Sequence, residues 1–316
     1  SVVVPLRQPY LVVSRLALAT WGMERATAAG AVLRPVAVTE LARAPDGWRV
    51  TDSAGGVYRA RWLVGADGAA SRVRGRVAPG FVPELAPTRV AYPAHGAPPG
   101  RAVFQFLPRA KGYIWDFPRQ GHHSVGIGVA PRTFRRPALD DALGQYQAAE
   151  SGEPEIRDPH GGAVIATSEW IKGGFSDLGG RDFALLGDAA GLADPATGEG
   201  IDYALRSAAL AAQVFSSVAG FRGYPAAARR AFGREMRRAR MVRRWLYHPA
   251  LADQLIRRAR RSPRVALLLM ALSDSLNEHG SISQALWRAI RGNLKELHAA
   301  RMVCECPDGD GVFHPL

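Results

Sequence analysis

Residues 182–215 read DFALLGDAAGLADPATGEGIDYALRSAALAAQVF, and the rest of the chain can be placed around them. Residues 183–186 form a short apolar run of strand length, closed by Gly187 and Asp188, so a carboxylate stands at the carboxyl end of the strand. Open α/β sheets hold their ligands at that end. Pro195, Gly198 and Gly200 then resist regular structure, after which Ile201, Ala204, Leu205, Ala208, Ala212 and Phe215 recur at helical spacing. A glycine loop thus delivers the chain into a helix. The first turn of such a helix carries unpaired amides and a partial positive charge of roughly half a unit, and glycines let a ligand approach the backbone. The junction suits an anion or a polarised oxygen, and the alanine-rich face implies tight packing of the helix on its sheet. An ordinary strand–loop–helix unit has the same pattern.

With 316 residues and 47% hydrophobic content, the chain can bury a substantial core divided into two or three units. The longest strongly apolar run, 265–272, is far short of the roughly 20 residues that a spanning helix needs. Any membrane contact is therefore expected to be peripheral. The net charge of +13 is concentrated between positions 222 and 264, where fourteen arginines face only Glu235 and Asp253. Such a segment suits anionic headgroups, a diphosphate or simply a solvated helical face. Its Arg-Arg pairs lack interleaved aromatics and no nucleic-acid module is visible, so no nucleic-acid partner is expected. Cys304 and Cys306, one residue apart, make neither a disulfide framework nor a zinc pattern, and no metal site is expected. A reducing, cytoplasmic setting is the expectation, with contact at the periphery of a membrane.

Along the chain, Ser14 is placed to cap a helix ending near Ala29 and Gly30, with Arg15 in its first turn. A cation is unfavourable at that end of the helix dipole, which fits a nearby anion or an exposed arginine of no consequence. Alternation from Val32 to Trp62, with turn signals at 45–47 and 53–56, predicts an antiparallel meander. It ends in a second strand–turn–helix junction, Val64-Gly65-Ala66-Asp67-Gly68, followed by Ser71, Val73 and Arg74. Residues 81–176 read as a mainly antiparallel domain. Within it, Tyr113, Trp115 and Phe117 share one strand face, and Gly126 and Gly128 leave a shallow strip on the returning strand. That wall receives a flat or elongated apolar ligand, or is plain sheet core. His95, His122, His123 and Tyr113 are able to donate a proton, yet no catalytic acid or base is legible. Helices are expected at about 225–247, 249–260, 264–277 and 282–301.

Three of these stretches carry a resemblance. Gly187-Asp188-Ala189-Ala190-Gly191, Pro195, Thr197-Gly198-Glu199-Gly200-Ile201 and Ala204 resemble the second flavin-binding motif of hydroxylase-type FAD-dependent oxidoreductases, in the form carried by the geranylgeranyl reductase family. Gly65-Ala66-Asp67-Gly68 with Ser71, Val73 and Arg74 resembles the first internal motif of the same flavoproteins. Tyr113-x-Trp115-x-Phe117-Pro118, followed by Val125-Gly126-Ile127-Gly128, is similar to the element lining the prenyl cavity of that family. Flavin-dependent halogenases have a related element that differs at the positions of Tyr113 and Phe117. Tyr10, Arg15 and Ala29-Gly30-Ala31 also resemble the family, although Leu18-Ala19 replace its usual Phe-Asp.

The resemblance implies an α/β (α+β overall) fold: a Rossmann-like FAD-binding domain at 1–78 and 177–218, an inserted substrate-binding sheet at 79–176, and C-terminal helices at 219–316. It implies FAD as cofactor, with NAD(P)H or another reductant as electron donor. Asp188 would bind the ribityl chain, Gly198, Glu199, Gly200 and Ile201 the pyrimidine edge of the flavin, and Asp67 and Gly68 the diphosphate region. Arg15, Gly187 and Pro195 would complete the cofactor set, while Tyr113, Trp115, Phe117, Pro118, Gly126 and Gly128 would line the substrate. The implied reaction saturates isolated double bonds of a prenyl chain by hydride from reduced flavin. A flavin monooxygenase or halogenase, or a non-catalytic protein at a lipid surface, are the alternatives. The family's opening Gly-x-Gly-x-x-Gly turn is not found before Val13, so the FAD site encoded here is expected to be incomplete.

Overall fold

In the computed structural model, helix α1 (Arg15–Ala28) begins where expected, with the Ser14 hydroxyl accepting the Ala17 amide, and ends in Gly30 at φ +94°. The structure describes residues 12–98, 100–107, 111–130, 136–151, 160–167, 174–218 and 220–248, together with 254, 257–258 and 261–262. Residues 1–11, both cysteines and the helices expected beyond 262 lie outside them. Of the helix expected at 249–260, only 254 and 257–258 are described, and each is helical.

The predicted meander is β1 (Val38–Ala44), β2 (Gly47–Asp52) and β3 (Val57–Ala60), paired antiparallel in that order. Asp52 closes its second turn by accepting the amides of Ala54 and Gly56 and the hydroxyl of Tyr58. Trp48 anchors the meander: it is 1% exposed, and its indole N–H donates to the Asp182 carbonyl. Arg43 lies over that indole and pairs with the Asp182 carboxylate.

Asp182 leads into β10 (Phe183–Leu185), which pairs parallel with β4 (Leu63–Gly65) in the register Leu63–Phe183, Val64–Ala184, Gly65–Leu185. β4 continues through Asp67 into α2 (Arg72–Val77), and β10 continues into a 3₁₀ turn, Gly187–Ala190, a buried loop and helix α4 (Ile201–Val218). The two glycine junctions read from sequence therefore open at the same end of one sheet. Helix α5 (Tyr224–Leu246) packs behind them. Tyr224, Ala228, Phe232 and Met236 enter the core formed by Leu178, Ala184, Leu185, Leu192 and Tyr203, and the Tyr224 hydroxyl donates to the Leu185 carbonyl.

The remaining strands form a five-stranded antiparallel sheet, in the order β6 (Val103–Phe106), β7 (Gly112–Arg119), β8 (His122–Val129), β5 (Glu84–Ala91), β9 (His160–Thr167). Helix α3 (Arg136–Ser151) covers one face. It is absent from the sequence reading, although Leu139, Leu143 and Tyr146 fall at helical spacing and pack on Ile114, Val125 and Ile127.

The structure corrects one packing expectation. Ala204, Leu205, Ala208 and Ala212 are exposed, and Ile201 is 37% and Leu205 61% accessible. Helix α4 instead buries Tyr203, Ser207 and Ala211. The alanine stripe thus lies on the side of α4 away from its packed face, and Val64 of β4 is likewise 44% exposed.

Candidate functional site

At the first junction, Asp67 uses both carboxylate oxygens within the chain. It accepts the Ser71 hydroxyl, the Arg72 amide at 2.8 Å and the Val73 amide at 3.1 Å, and the Ser71 hydroxyl in turn accepts the Arg74 amide at 2.9 Å. Asp67 and Ser71 together cap α2. Gly68 holds φ +78° with open space on its Cβ side. Arg74, which the sequence reading assigned no task, is buried and joins the two junctions. Its guanidinium donates to the carbonyls of Ala69 at 2.6 Å, Ala189 at 3.0 Å and Asp188 at 3.3 Å.

At the second junction, burial raises the Asp188 carboxyl above its ordinary range, while the positive charges of Arg15 and Arg74 pull it back. Arg15, exposed at the start of α1, thus belongs electrostatically to the same site. Glycine is required on both sides of Asp188. A Cβ on Gly200 would sit 2.9 Å from the Asp188 carboxylate, and one on Gly187, at φ +50°, would sit 3.0 Å from the Ala204 methyl. The Gly187 amide is held by the Ser207 hydroxyl at 3.0 Å.

The loop between Gly191 and Gly200 is built around Asp194 and Pro195, both buried. The Asp194 carboxylate accepts the Ala196 amide at 2.7 Å and the Thr197 amide at 2.9 Å, and burial raises its pKa against those two bonds. The first-turn amides expected to face a ligand are partly engaged within the chain. Gly198 donates to the Asp194 carbonyl, and Asp202 donates to the Glu199 carboxylate at 2.9 Å. Burial raises the Glu199 pKa, opposed by the amides of Asp202 and Ile201.

Two tyrosines hold this loop from the side of the aromatic strands. The Tyr113 hydroxyl donates to the Thr197 carbonyl, and the Tyr247 hydroxyl to the Ala196 carbonyl at 2.7 Å. Burial raises both hydroxyl pKa values, so both remain donors. The predicted face of Tyr113, Trp115 and Phe117 is present, extended by Phe104 and Phe106 of β6, which pair with Trp115 and Tyr113. Phe104 meets Phe117 edge-on at 5.3 Å between ring centroids, and Phe106 meets Tyr247 at 6.1 Å. The alternation of Phe104 and Phe106 was a readable signal. Tyr247 was not, because only the docking of α5, through Arg243 to Glu84 at 2.6 and 3.0 Å, brings it here.

The shallow strip expected at Gly126 and Gly128 is filled. Gly126 is paired with Trp115, whose indole lies 2.2 Å from the point where a Gly126 Cβ would be. The missing side chain makes room for the indole, not for an open channel. Gly126→Ala is therefore expected to destabilise the protein by about 1–3 kcal/mol and to shift tryptophan fluorescence. Gly128→Ala, whose Cβ would have only ordinary contacts at 3.4 and 3.6 Å, should change little. Equal unfolding midpoints for the two variants would contradict this packing. Pro118 pairs with His123 at the far end of the hairpin.

His122 and His123 lie on opposite faces of β8. His123 lies on the α3 side of the sheet, its Nδ1 2.7 Å from the fully buried Asp116, which also accepts the Ala97 amide at 2.7 Å and the Tyr146 hydroxyl at 3.2 Å. His122 bonds the Gln120 carbonyl and meets the Tyr92 ring. The described residues hold no group of His, Cys, Asp and Glu able to take a metal ion, and none of their helices is long and apolar enough to cross a membrane.

No protein-family model matches the chain. It is 36% identical over 116 residues to the menaquinone reductase of Mycobacterium tuberculosis, covering 34% of this chain and 26% of that protein. It is 29% identical over 226 residues to digeranylgeranylglycerophospholipid reductase 2 of Methanopyrus kandleri, covering 64% and 54%. The matches thus span about a quarter to a half of these curated relatives. A geranylgeranyl bacteriochlorophyll reductase-like structure from Thermoplasma acidophilum superposes with a TM-score of 0.64 at 20% identity, covering 92% of this chain and 78% of that one. The chain has the geranylgeranyl reductase-like fold of FAD-dependent oxidoreductases. A halogenase solved with FAD shares this fold, with a TM-score of 0.54 at 14% identity, covering 94% of this chain and 64% of that one. In this fold, Tyr113 joins the aromatic sheet to the second glycine junction, and Arg74 joins that junction to the first.

Proposed function

We propose that this chain forms the flavin-edge and substrate-facing parts of an FAD-dependent oxidoreductase that reduces isolated double bonds of a prenyl chain, with NAD(P)H or another reductant as electron donor. One observation carries the reading: the aromatic face is tied by Tyr113 directly to the loop that leads into α4. An elongated apolar ligand lying along Phe104, Trp115 and Phe117 would reach the glycine loop at one end. The residues at that end suit FAD. Gly187 and Gly200 leave no side chain between backbone and Asp188, and Asp188 faces Arg15 and Arg74. Asp188 would receive ribityl hydroxyls, and the start of α4 would face the pyrimidine edge, where its dipole favours negative charge. When bound, FAD supplies the redox chemistry. The chain's own residues hold the loop, orient an apolar substrate and exclude water.

The test is a visible-absorbance titration of the purified protein with FAD, followed by anaerobic reoxidation of the reduced complex with a geranylgeranyl lipid. Reoxidation with loss of a substrate double bond supports the reading. Turnover only with oxygen and an aromatic substrate would replace it by a hydroxylase or halogenase reading, and absence of FAD binding at about 100 μM, well above the usual range for such cofactor sites, would remove it.

A further inference from the structure

Helix α5 divides its surface sharply. Tyr224, Ala228, Phe232 and Met236 are buried. Glu235, the sole acid of the helix, turns to Arg206 of α4, whose guanidinium it receives at 3.1 Å through both oxygens. The opposite face carries Arg230, Arg234, Arg237 and Arg244, all exposed, with Met241 among them at 62% accessibility. At 3.6 residues per turn these five positions fall within an arc of roughly 80° and run about 21 Å along the axis. Among the described residues, none of the four arginines is within ion-pair distance of an acid. Like charges at i, i+4 and i, i+3 destabilise an isolated helix. The stripe is thus held by the packing behind it, and among the described residues it has no counter-charge.

We infer that the outer face of α5 docks the protein on a bilayer bearing anionic headgroups. A straight stripe on one helix touches a plane along its whole length, and arginine guanidinium groups match headgroup phosphates in geometry and charge. Met241, apolar and placed between Arg237 and Arg244, fits the boundary between headgroups and acyl chains. A single-stranded nucleic acid would instead call for aromatic platforms among the cations, and the stripe has none. The attraction is screened over about 8 Å at physiological ionic strength, so docking should weaken with salt. The same helix ties to β5 through Arg243 and Glu84, and Tyr247, just past its end, meets the Phe106 ring and the Ala196 carbonyl. The inference nevertheless rests on the surface of α5 and stands apart from the reading of the flavin site.

The experiment is co-sedimentation of the purified protein with phosphatidylcholine vesicles, alone or containing about one third phosphatidylglycerol, a proportion high enough to set up the surface potential invoked here. Binding to the anionic vesicles only is expected. The triple variant Arg230→Glu, Arg234→Glu, Arg237→Glu should weaken it on the order of a hundredfold. The corresponding lysine variant should retain most of it, and Met241→Asp should weaken it without altering the urea midpoint. The control is Arg222→Glu, Arg258→Glu, Arg261→Glu, an equal charge change at exposed positions off the stripe. Equal binding to neutral vesicles, undiminished binding by the stripe variant, a greater loss in the control, or tighter binding to an RNA oligonucleotide than to vesicles would each overturn the inference.

Discussion

Asp116→Ala is expected to lower the unfolding free energy by about 3–5 kcal/mol, because it leaves three buried donors without their shared acceptor. The carboxylate has no solvent exposure and serves three donors at once: the ring of His123, the amide of Ala97 and the hydroxyl of Tyr146. Alanine would leave all three unsatisfied in a region too tight for easy relaxation, since even a Cβ on Gly96 would sit 2.5 Å from the His123 ring and 2.7 Å from the Asp116 carboxylate. Asn keeps an acceptor and the volume, so Asp116→Asn should lose less than half as much. The check is urea unfolding of the three proteins, with hydrogen exchange at residues 93–98, the segment tied to the sheet by the Ala97 amide and by the bond from the His123 amide to the Pro93 carbonyl. An alanine variant within about 1 kcal/mol of the parent, below the cost of even one unsatisfied buried group, would show that the network contributes little. Because Asp116 and Trp115 point to opposite faces of β7, the aromatic wall should be disturbed only indirectly.

Arg74→Met is expected to cost about 2–4 kcal/mol and to loosen the second glycine junction in particular. The guanidinium is the direct polar link from α2 to the turn at Gly187–Ala190, reaching the carbonyls of Asp188 and Ala189 as well as that of Ala69. Burial weakens its hold on the proton, while Asp67 and Asp188 strengthen it, so the side chain stays charged in a partly desolvated place. Methionine fills much of the volume but supplies no donor. Amides of residues 187–192 should then exchange faster, whereas those of α3, in the other core, should not. Arg74→Lys should recover less than half of the loss, because one ammonium cannot span three carbonyls in the plane of the guanidinium fork. Uniform acceleration of exchange through both cores would indicate global destabilisation and remove the proposed local link.

Much of this architecture was legible in local pattern. Ser14 and Ser71 mark helix starts because a short hydroxyl side chain accepts an amide only three residues on. The apolar runs before Gly65 and Gly187 mark strands that end in glycine turns, and the two pair in parallel. Period-two alternation placed Tyr113, Trp115 and Phe117 on one face without any knowledge of the sheet around them. Helix α3 carried a readable signal too, in Leu139, Leu143 and Tyr146, but it is a helix inside a stretch whose prolines and glycines suggested strands alone.

The sequence by itself determined where chain direction changes, which residues share a face, and which two junctions carry the flavoprotein pattern. Those properties depend on neighbours a few positions away. Tertiary structure alone decided which shared face is covered. It left the alanine stripe of α4 exposed, filled the Gly126 strip with the Trp115 indole, and put His123 beneath the sheet with Asp116. It also brought Arg74 to Asp188 and Tyr247 to Ala196, pairs separated by 114 and 51 positions. Helical or strand period states that a face exists. Its occupant is set by the packing of distant segments, whose meeting is governed by the free energy of the whole fold.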